Sequence, residues 1–382
     1  MRNNDTDKHT VRAWSDAASL RSDYLEAWQL SSKEHFENSI EWFELLQKHV
    51  FSDDSHTRYY VASDQAMRPI ALLPLRLITQ GWTKQIKSLS NFYTSLYSPL
   101  LAGVEARNQL HRLLAESVKD FKGANVIRFA PMDAESHEFK SLLEGIRALG
   151  WIPFRYFCFH NWYLKNPDNW NDYLQGRSRN LRDSIKRRRK QFAASGGIIE
   201  IISGMSDDID TAIASFHEVY RASWKVPEPY PDFIPALIHH LARSGLLRLG
   251  IARLDGKPIA AQLWIVTGKT ASIYKVAYHE DFASYSPGTV LTSYLLEHAI
   301  ENDHVEEVDF LIGDDEYKKK WMSDRRERWG IVAYNPRSPR GIALLIIELL
   351  GRGTKQIRQK LKSMLGKPKT TNSKKLLDDY SK

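Results

Sequence analysis

The order of strand-like and helix-like segments predicts an α/β (α+β) protein built as a tandem duplication of one unit. In residues 1–163 a strand, two helices, a hairpin, a helix, a strand, a helix and a strand follow one another, and the same order returns after Trp170. The pair Asp255-Gly256, between two apolar and β-branched runs, is typical of a tight hairpin turn. With 382 residues the chain exceeds one ordinary domain. We therefore expect domains at 1–163 and 164–336 and a tail at 337–382.

The first copy is predicted from apolar periodicity and turn residues. Asn38 and Ser39 are plausible N-caps for the second helix, and Ser63-Asp64-Gln65 turns the chain between the strands of the hairpin. The predicted strands are Val11–Trp14, Arg58–Ala62, Pro69–Ile78, Asn125–Phe129 and Trp151–Tyr163, and the predicted helices are Ala17–Leu30, Ile40–Phe51, Arg107–Lys119 and Ser136–Leu149.

The second copy begins with a basic helix that we expect to end at Gly196-Gly197. Beyond the hairpin at Asp255-Gly256, Thr267-Gly268-Lys269 leads into a third strand, and apolar residues then recur at helical spacing from Val290. The predicted helices are Asn171–Ala194, Asp207–Ser223, Pro231–Ser244 and one starting near Ser286, and the predicted strands are Ile198–Ile202, Leu247–Leu254, Ile259–Val266, Thr270–Tyr278 and Val305–Ile312.

The loop Tyr285-Ser286-Pro287-Gly288-Thr289 joins the third strand of the second copy to a helix. The first backbone N–H groups of a helix have no intrahelical partner and attract anions. Pro287 suits the first turn, Gly288 lets a ligand approach the backbone, and Ser286 or Thr289 is suited to capping or to an oxyanion. The loop therefore indicates either an ordinary helix cap or a site for a pyrophosphate.

This order of elements, with the strand Val308–Gly313 followed by Tyr317-Lys318, resembles the GNAT N-acyltransferase fold. Over residues of about 10–335 the chain is similar to the cellulose-biosynthesis-associated (CelD/BcsL-like) acetyltransferases, relatives of the Fem-type peptidoglycan aminoacyltransferases. The resemblance implies two mixed, largely antiparallel sheets flanked by helices. It also implies acyl transfer from acetyl-CoA or a longer acyl-CoA to a small-molecule or glycan-precursor acceptor of the cell envelope or of exopolysaccharide synthesis.

The same resemblance suggests roles for individual residues. The third strand would pair its free edge with the pantetheine of the donor at Val276 and Ala277, and Ser286 to Thr289 would hold the pyrophosphate. Tyr317 would protonate the leaving thiolate, with Asp309 or Glu316 as base and His279 as a further candidate. The first copy has no counterpart of the Ser-Pro-Gly loop, so we expect it to shape the acceptor side. Its candidate acceptor-binding residues are Tyr93 and Tyr97, joined by Lys318 from the second copy.

Two other functions stay open. A Fem-like enzyme would use an aminoacyl-tRNA, and the eight basic residues between Arg177 and Lys190 would then contact its phosphates. These residues point in several directions around a helix, which favours a partly solvated helix instead. The loop Ser-Pro-Gly-Thr also differs from the glycine-rich loop of typical coenzyme A-binding members. That difference favours a protein that only binds a glycan precursor or a synthase.

Composition sets further bounds. The single cysteine, Cys158, cannot form an intramolecular disulfide and suggests a reducing compartment. No histidine spacing indicates a metal site, and acyl transfer needs none. The N-terminus lacks the apolar core of a secretory signal, so we expect a cytoplasmic protein. The tail has an apolar run, Ile342–Leu350, and ten lysines and arginines against three acidic residues from Gly341 onward. It predicts a basic amphipathic helix that either covers the second domain or contacts an anionic membrane.

Overall fold

The structure is a computed structural model that describes residues 10–20, 35–52, 54, 56–165, 168–205 and 208–364. The strands are β1 (Thr10–Trp14), β2 (Thr57–Ser63), β3 (Pro69–Gln80), β4 (Thr83–Ser88), β5 (Leu100–Leu101), β6 (Val126–Met132), β7 (Ile152–Lys165), β8 (Ile198–Ile202), β9 (Leu247–Leu254), β10 (Lys257–Thr267), β11 (Thr270–Tyr278), β12 (Glu307–Asp309) and β13 (Asp324–Tyr334). The helices are α1 (Ile40–His49), α2 (Leu110–Asp120), α3 (His137–Ala148), α4 (Trp170–Gln175), α5 (Arg179–Ala194), α6 (Ile209–Arg221), α7 (Phe233–Arg243), α8 (Pro287–Glu301), α9 (Glu316–Trp321) and α10 (Pro339–Met364), with 3-10 turns at Val104–Gln109 and Glu280–Tyr285.

The described strands form one continuous sheet in the order β1-β2-β3-β4-β6-β13-β7-β12-β11-β10-β9-β8, and β5 pairs with β3. Two neighbouring pairs, β4 with β6 and β11 with β12, are parallel, and the other pairs are antiparallel. Each half of the sheet therefore holds four antiparallel strands followed by one parallel step. The predicted duplication of one α/β unit is confirmed by this repeated order.

The two halves exchange their last strands. Strand β7 ends the first copy along the chain but pairs with β12 of the second, whereas β13 ends the second copy and pairs with β6 of the first. The long β7 and β13 also pair with each other, from Tyr163 with Asp324 to Ile152 with Tyr334. The predicted division at residues 163 and 164 falls inside β7. The division of the chain into domains stays a prediction.

The hairpin turn of the second copy is as predicted. Asp255 and Gly256 both have positive φ, at 50° and 77°, and Leu254 pairs with Lys257. These angles are those of the turn type that matches the twist of antiparallel strands. Because the turn chemistry is local, the sequence was sufficient to place it.

The predicted helix over 171–194 is wrong in one respect, because it is broken into α4 and α5. Gly176 ends the first segment, and the hydroxyl of Ser178 caps the second by accepting a hydrogen bond from the Leu181 N–H at 3.3 Å. The predicted strand over 305–312 is also shorter, since Leu311 has a left-handed φ of 51°. Most of the predicted helix over 17–30 lies outside the described residues.

Strands β4, β5 and β13 are not predicted from the sequence: β5 has only two residues, β4 is strongly polar, and the first half of β13 is charged. Ile86 is the one aliphatic residue of β4, and β13 begins with Asp324-Arg325-Arg326-Glu327-Arg328. A half-buried strand normally alternates apolar and polar side chains. The charges of β13 are instead satisfied by partners from distant parts of the chain, which a local pattern does not reveal.

Aromatic side chains pack the two halves together. The ring of Phe233 in α7 lies 4.3 Å from that of Tyr93 and 5.7 Å from that of Trp42, both in the first copy. Tyr274 of β11 contacts the Trp42 ring edge-on at 6.3 Å and donates a hydrogen bond to the Tyr93 carbonyl at 3.1 Å. The larger apolar core therefore spans both copies.

The C-terminal helix α10 packs on the sheet beside the first copy. Leu344 and Leu345 contact a small apolar cluster that includes Val126, Val332 and Tyr334. Among the helices that the structure describes, none combines the length and the apolar composition that crossing a bilayer requires.

Candidate active site

A cavity of about 700 Å³ lies in the second copy, where β11, α5, α8 and α9 meet. Its volume is within the range of small-molecule and cofactor sites. The lining is mostly polar and aromatic. It consists of Ser178, Asn180, Leu181, Ser184, Trp224, Lys225, Gln262, Val276, Ala277, Tyr278, Gly288, Thr289, Thr292, Asp315, Tyr317, Lys320 and Trp321.

One wall of the cavity is an unpaired strand edge. Strand β11 pairs with its parallel neighbour β12 only from Thr270 to Ser272, because β12 ends at Asp309. From Ile273 onward that edge of β11 has no strand partner in the described part of the chain, and Val276 and Ala277 lie in this stretch. Such an edge presents backbone N–H and C=O groups to an extended ligand.

The cavity lining also includes the starts of two helices. Gly288 and Thr289 lie in the first turn of α8, and Ser178 and Asn180 lie at the start of α5. Neither helix has an acidic residue in its first turn, so the partial positive charge at each start is not neutralised there. Two such starts around one cavity favour a multiply charged anion.

Gln262 of β10 fixes the first turn of α8. Its side-chain amide donates to the Gly288 carbonyl at 3.1 Å and to the Thr292 hydroxyl at 2.8 Å, and its carbonyl accepts from the indole of Trp264 at 2.9 Å. A buried amide with these partners is rigidly held. The absence of a side chain at Gly288 matters as well, because an added Cβ would lie 3.3 Å from the Tyr278 ring.

Five of the residues predicted to bind donor or to act in catalysis line this cavity, namely Val276, Ala277, Gly288, Thr289 and Tyr317. Ser286 is the N-cap of α8 with a left-handed φ of 51°, and its hydroxyl does not cap the helix. Pro287 is the buried first residue of α8. Neither of the two is among the lining residues, although they set the position of Gly288 and Thr289. The roles of all six predicted donor-binding residues stay predictions.

Tyr317 is one of two tyrosines that line the cavity, the other being Tyr278. Burial, and then the negative charge of Asp315, raise the pKa of Tyr317 above its ordinary range. The side chain is therefore protonated at neutral pH, which is the form that a proton donor needs. Lysine charges are also present, since Lys225 and Lys320 line the cavity. Burial and the nearby Lys275 lower the pKa of Lys225.

Asp309 does not line the cavity but belongs to a buried network and is 1% exposed. Its carboxylate accepts hydrogen bonds from Arg326, from the Asn161 amide and from the Leu311 N–H. Burial alone would raise the pKa of Asp309, but Arg326 and Arg328 outweigh it and hold the pKa below its ordinary value. Asp309 is thus an ionised group that holds β12 and the following turn in place.

Lys318 is almost completely buried beneath the same turn. Its ammonium group donates to the carbonyls of Phe310 and Ile312 and lies 3.7 Å from the Asp315 carboxylate. Burial is the main cause that lowers the pKa of Lys318 to about 8. It does not line the cavity, and its contacts stabilise the segment that carries Asp315 and Tyr317.

The titration of Lys318 gives a testable pH dependence. The unfolded chain keeps the proton up to about its ordinary pKa of 10.5, while the folded protein releases it near 8. The unfolded state then binds more protons between these values, so the free energy of unfolding rises with pH across this window. We expect the free energy of unfolding of the wild type, measured in urea, to rise relative to that of a Lys318→Met variant by at most about 3 kcal/mol between pH 8 and 10.5. A difference between the two proteins that is flat with pH would contradict this.

The other two proton-handling candidates lie outside the cavity. Glu316 is the exposed first residue of α9. His279 is the N-cap of the 3-10 turn Glu280–Tyr285, and its Nδ1 accepts a hydrogen bond from the Asp281 N–H at 3.3 Å. Neither of them is among the residues that line the cavity with Tyr317.

The two tyrosines predicted on the acceptor side are packing residues of the first copy. Tyr97 is buried and donates to the Pro74 carbonyl at 2.8 Å. Tyr93 is buried between the halves and donates to Glu228 at 2.5 Å, and Glu228 also pairs with Lys275 of β11 at 2.7 Å. Neither tyrosine lines the cavity, so an acceptor role for them has no support from their position.

The basic helix α5 is partly used inside the fold. Arg189 donates to Ser293 at 2.7 Å and to Glu297 at 2.6 Å, and its guanidinium lies 4.0 Å from the centre of the Tyr294 ring. Arg188 donates to the Ser284 carbonyl at 3.0 Å, just before α8. Lys186, Arg187 and Lys190 are exposed. The helix therefore positions α8 and also presents a small basic surface.

Sequence reasoning missed the contribution of α5 and of several cavity residues. Ser178 and Asn180 were placed inside a continuous helix, and the break at Gly176 was not recognised. Gln262 carried a usable signal, because it is a lone amide within an otherwise apolar strand. Trp224 and Lys225 lie in a proline-rich connection whose sequence gives no such signal.

Comparisons with known proteins agree with this geometry. Residues 179–319 match the family described as an acetyltransferase (GNAT) domain. No curated protein sequence matches the chain significantly. Among the residues that the structure describes, no group of three His, Cys, Asp or Glu side chains is arranged to hold a metal ion.

Two solved structures with TM-scores above 0.5 resemble most of this fold. FemX is 12% identical, with a TM-score of 0.56 over 80% of this chain and 93% of FemX. A conserved protein of unknown function from Bacteroides thetaiotaomicron VPI-5482 is 12% identical, with a TM-score of 0.55 over 85% of this chain and 100% of that protein. A tandem GNAT protein from the clavulanic acid biosynthesis pathway is 12% identical, with a TM-score of 0.43 over 86% of this chain and 99% of that protein.

At these identities the structural likeness shows the fold alone, and the family match adds the activity class of the second copy. The predicted α/β fold with two GNAT-like units is confirmed, and so is the prediction of an acyltransferase. Residues 179–319 of the chain therefore match a GNAT acetyltransferase domain, and they lie within a fold of two GNAT-like units.

Proposed function

We propose that the protein transfers an acyl group from an acyl-CoA, bound in the cavity, to an amine or hydroxyl acceptor. One observation carries the proposal: the unpaired edge of β11 and the starts of α5 and α8 face the same cavity. The edge suits the amide groups of a pantetheine arm, and the helix starts suit a pyrophosphate. Lys225 and Lys320 outnumber Asp315 among the charged lining residues, which also favours an anionic donor.

The chain's own residues account for the proton transfers. The acceptor attacks the thioester carbonyl, the carbon–sulfur bond breaks, and Tyr317 gives its proton to the departing thiolate. Asp315 is the carboxylate among the lining residues, and we assign to it the proton that the acceptor loses. Asp309 has its partners inside the fold and takes the role of a positioning residue.

The acceptor is proposed on the side where β7 and β13 join the halves. The indole of Trp162 donates to Asp314 at 2.7 Å, and Asp314 is the neighbour of the cavity residue Asp315. Phe157, which is 42% exposed, and Trp329 pack against each other nearby on the same pair of strands, with ring centres 5.8 Å apart. Exposed aromatic rings beside carboxylates suit a sugar ring with free hydroxyl or amino groups. This supports the cell-envelope or exopolysaccharide precursor that the CelD/BcsL-like resemblance implies.

A Fem-like reaction with an aminoacyl-tRNA is the second candidate. The exposed Lys186, Arg187 and Lys190 favour it, because they lie on the helix whose start lines the cavity. Phosphate contacts of this kind make affinity fall steeply with salt. A protein that binds a glycan precursor or a synthase without catalysis is the third.

Thermal unfolding in the presence of each donor separates these candidates. A ligand that binds only the folded state raises the melting temperature. At a free ligand concentration of about 100 times the Kd, it adds about 2.7 kcal/mol to the free energy of unfolding. We expect acetyl-CoA or a longer acyl-CoA to stabilise the protein and desulfo-CoA to do so as well, since the helix starts hold the phosphates. Stabilisation by aminoacyl-tRNA alone would favour the Fem-like reaction. No stabilisation by any donor would contradict acyl transfer.

A further inference from the structure

The helix α10 exposes an apolar surface that no described part of the chain covers. Ile347 and Leu350 are 61% and 65% exposed, and Ile346 and Leu349 are each 51% exposed. Together with Ile342, these side chains form what we call the α10 apolar face. A contiguous exposed surface of large aliphatic side chains in a folded protein marks an interaction site.

The α10 apolar face is exposed because the other side of the helix is fixed to the sheet. Leu344 and Leu345 pack into the cluster around Tyr334, and the Tyr334 hydroxyl donates to the Glu348 carboxylate at 3.0 Å. Arg352 donates to the same carboxylate at 2.7 Å and to the Arg155 carbonyl at 3.1 Å. These polar contacts set the rotation of the helix about its axis. The outward side of α10 is therefore a surface of the folded protein, and it does not pack against the second repeat of the chain.

The charge of the surrounding chain identifies the partner. From Gly341 to Lys382 there are ten lysines and arginines and three acidic residues, a net charge of +7, while the whole chain carries +8. The apolar side chains are all aliphatic and lie in one short stretch of helix, and the positive charges follow directly along the chain. Aliphatic insertion combined with diffuse positive charge is the chemistry of binding to an anionic lipid surface.

We propose that α10 docks the protein on an anionic membrane, with the α10 apolar face inserted at the level of the headgroups. The contact is peripheral and reversible. Each aliphatic side chain removed from water strengthens it, and each basic residue near the surface adds an electrostatic attraction that salt screens. The acyltransferase would then act on acceptors that are held at, or made beside, that membrane.

The test is co-sedimentation of the full chain with vesicles of phosphatidylcholine alone and with vesicles that also contain about 30% phosphatidylglycerol. We expect binding to the anionic vesicles at low salt, weak binding to the neutral ones, and release near 0.5 M salt, where the Debye length is below about 5 Å. The double variant Ile347→Ser/Leu350→Ser should bind the anionic vesicles at least about tenfold more weakly, since two inserted side chains are lost. Both positions are exposed, so circular dichroism should show unchanged folding.

The matched control is Ile198→Ser, because Ile198 is 59% exposed on β8, far from α10 in the sheet order. It should bind vesicles like the wild type. Equal vesicle binding by the double variant and the wild type would overturn the proposal. A second outcome would also overturn it: light scattering shows a dimer for the wild type and a monomer for the double variant, and neither protein binds vesicles. The α10 apolar face would then bind a second molecule of this protein. None of these readouts depends on the donor site.

Discussion

A Gly288→Glu variant should bind acyl-CoA at least about tenfold more weakly than the wild type, a loss of about 1.4 kcal/mol or more. Gly288 lies in the first turn of α8 and lines the cavity together with Thr289. A carboxylate introduced there opposes the charge of a bound phosphate and occupies its space. Isothermal titration with acetyl-CoA at fixed salt measures the change directly.

Two further substitutions at Gly288 separate bulk from charge. An added Cβ lies 3.3 Å from the Tyr278 ring, so Gly288→Ala tests the cost of the methyl group alone. Gly288→Gln has the size of the glutamate variant without its charge. We expect affinities in the order wild type, Ala, Gln and Glu, with a gap between Gln and Glu that narrows as salt is added. A folded Gly288→Glu protein with unchanged affinity would contradict a donor site at this helix start.

The parts of the site that the sequence predicted are those that lie close together along the chain. The hairpin at Asp255-Gly256, the strand with Val276 and Ala277 and the helix start at Gly288 follow each other within a few dozen residues, and each has its own turn or period signal. Backbone chemistry of this kind is local. The same reasoning therefore located both the strand edge and the helix start that line the cavity.

The parts that the sequence did not predict depend on contacts between distant segments. Strands β7 and β13 pair although they lie more than 150 residues apart along the chain, and the first half of β13 is a charged run that is not typical of a strand. The sequence makes Asp309 a candidate base because it does not show the partner of this carboxylate. Arg326 contacts Asp309 only through the place of β13 in the folded sheet. A carboxylate beside a predicted site has the same appearance in a sequence whether it reacts with substrate or is held by an arginine.

That buried pair should make Arg326→Leu one of the most destabilising substitutions in the protein. Arg326 contacts the Asp309 carboxylate and donates to Glu307 at 2.7 Å and to the Asn161 side-chain carbonyl at 2.7 Å. Removing it leaves the carboxylate of Asp309, which is 1% exposed, without the arginine that is hydrogen-bonded to it. Breaking a buried pair from one side costs about 3–5 kcal/mol. Urea unfolding followed by circular dichroism measures this loss.

The neighbouring Arg325→Leu is the matched control. The Arg325 side chain is 45% exposed and pairs with Asp314, which is 42% exposed, at 3.1 Å. An exposed pair of this kind contributes at most about 1 kcal/mol. A second control adds Asp309→Asn to Arg326→Leu, which should recover part of the loss because the uncompensated charge is removed. Equal effects of the two arginine substitutions would show that Asp309 is not held as we describe.

The pH dependence of the Arg326→Leu loss gives an independent check, with its sign set by the lowered pKa of Asp309. The contribution of the pair is present above the unfolded carboxyl value of 3.8 and is lost as the pH falls through the lower folded value. The difference in unfolding free energy between the wild type and Arg326→Leu should therefore shrink below pH 3.8.

The same variant should also bind acyl-CoA more weakly under conditions in which it is still folded. The reason is that Asp309 accepts a hydrogen bond from the Leu311 N–H, where the chain turns toward Asp315 and Tyr317. If the folded variant bound acyl-CoA as tightly as the wild type, the buried pair of Arg326 and Asp309 would have no influence on the donor site.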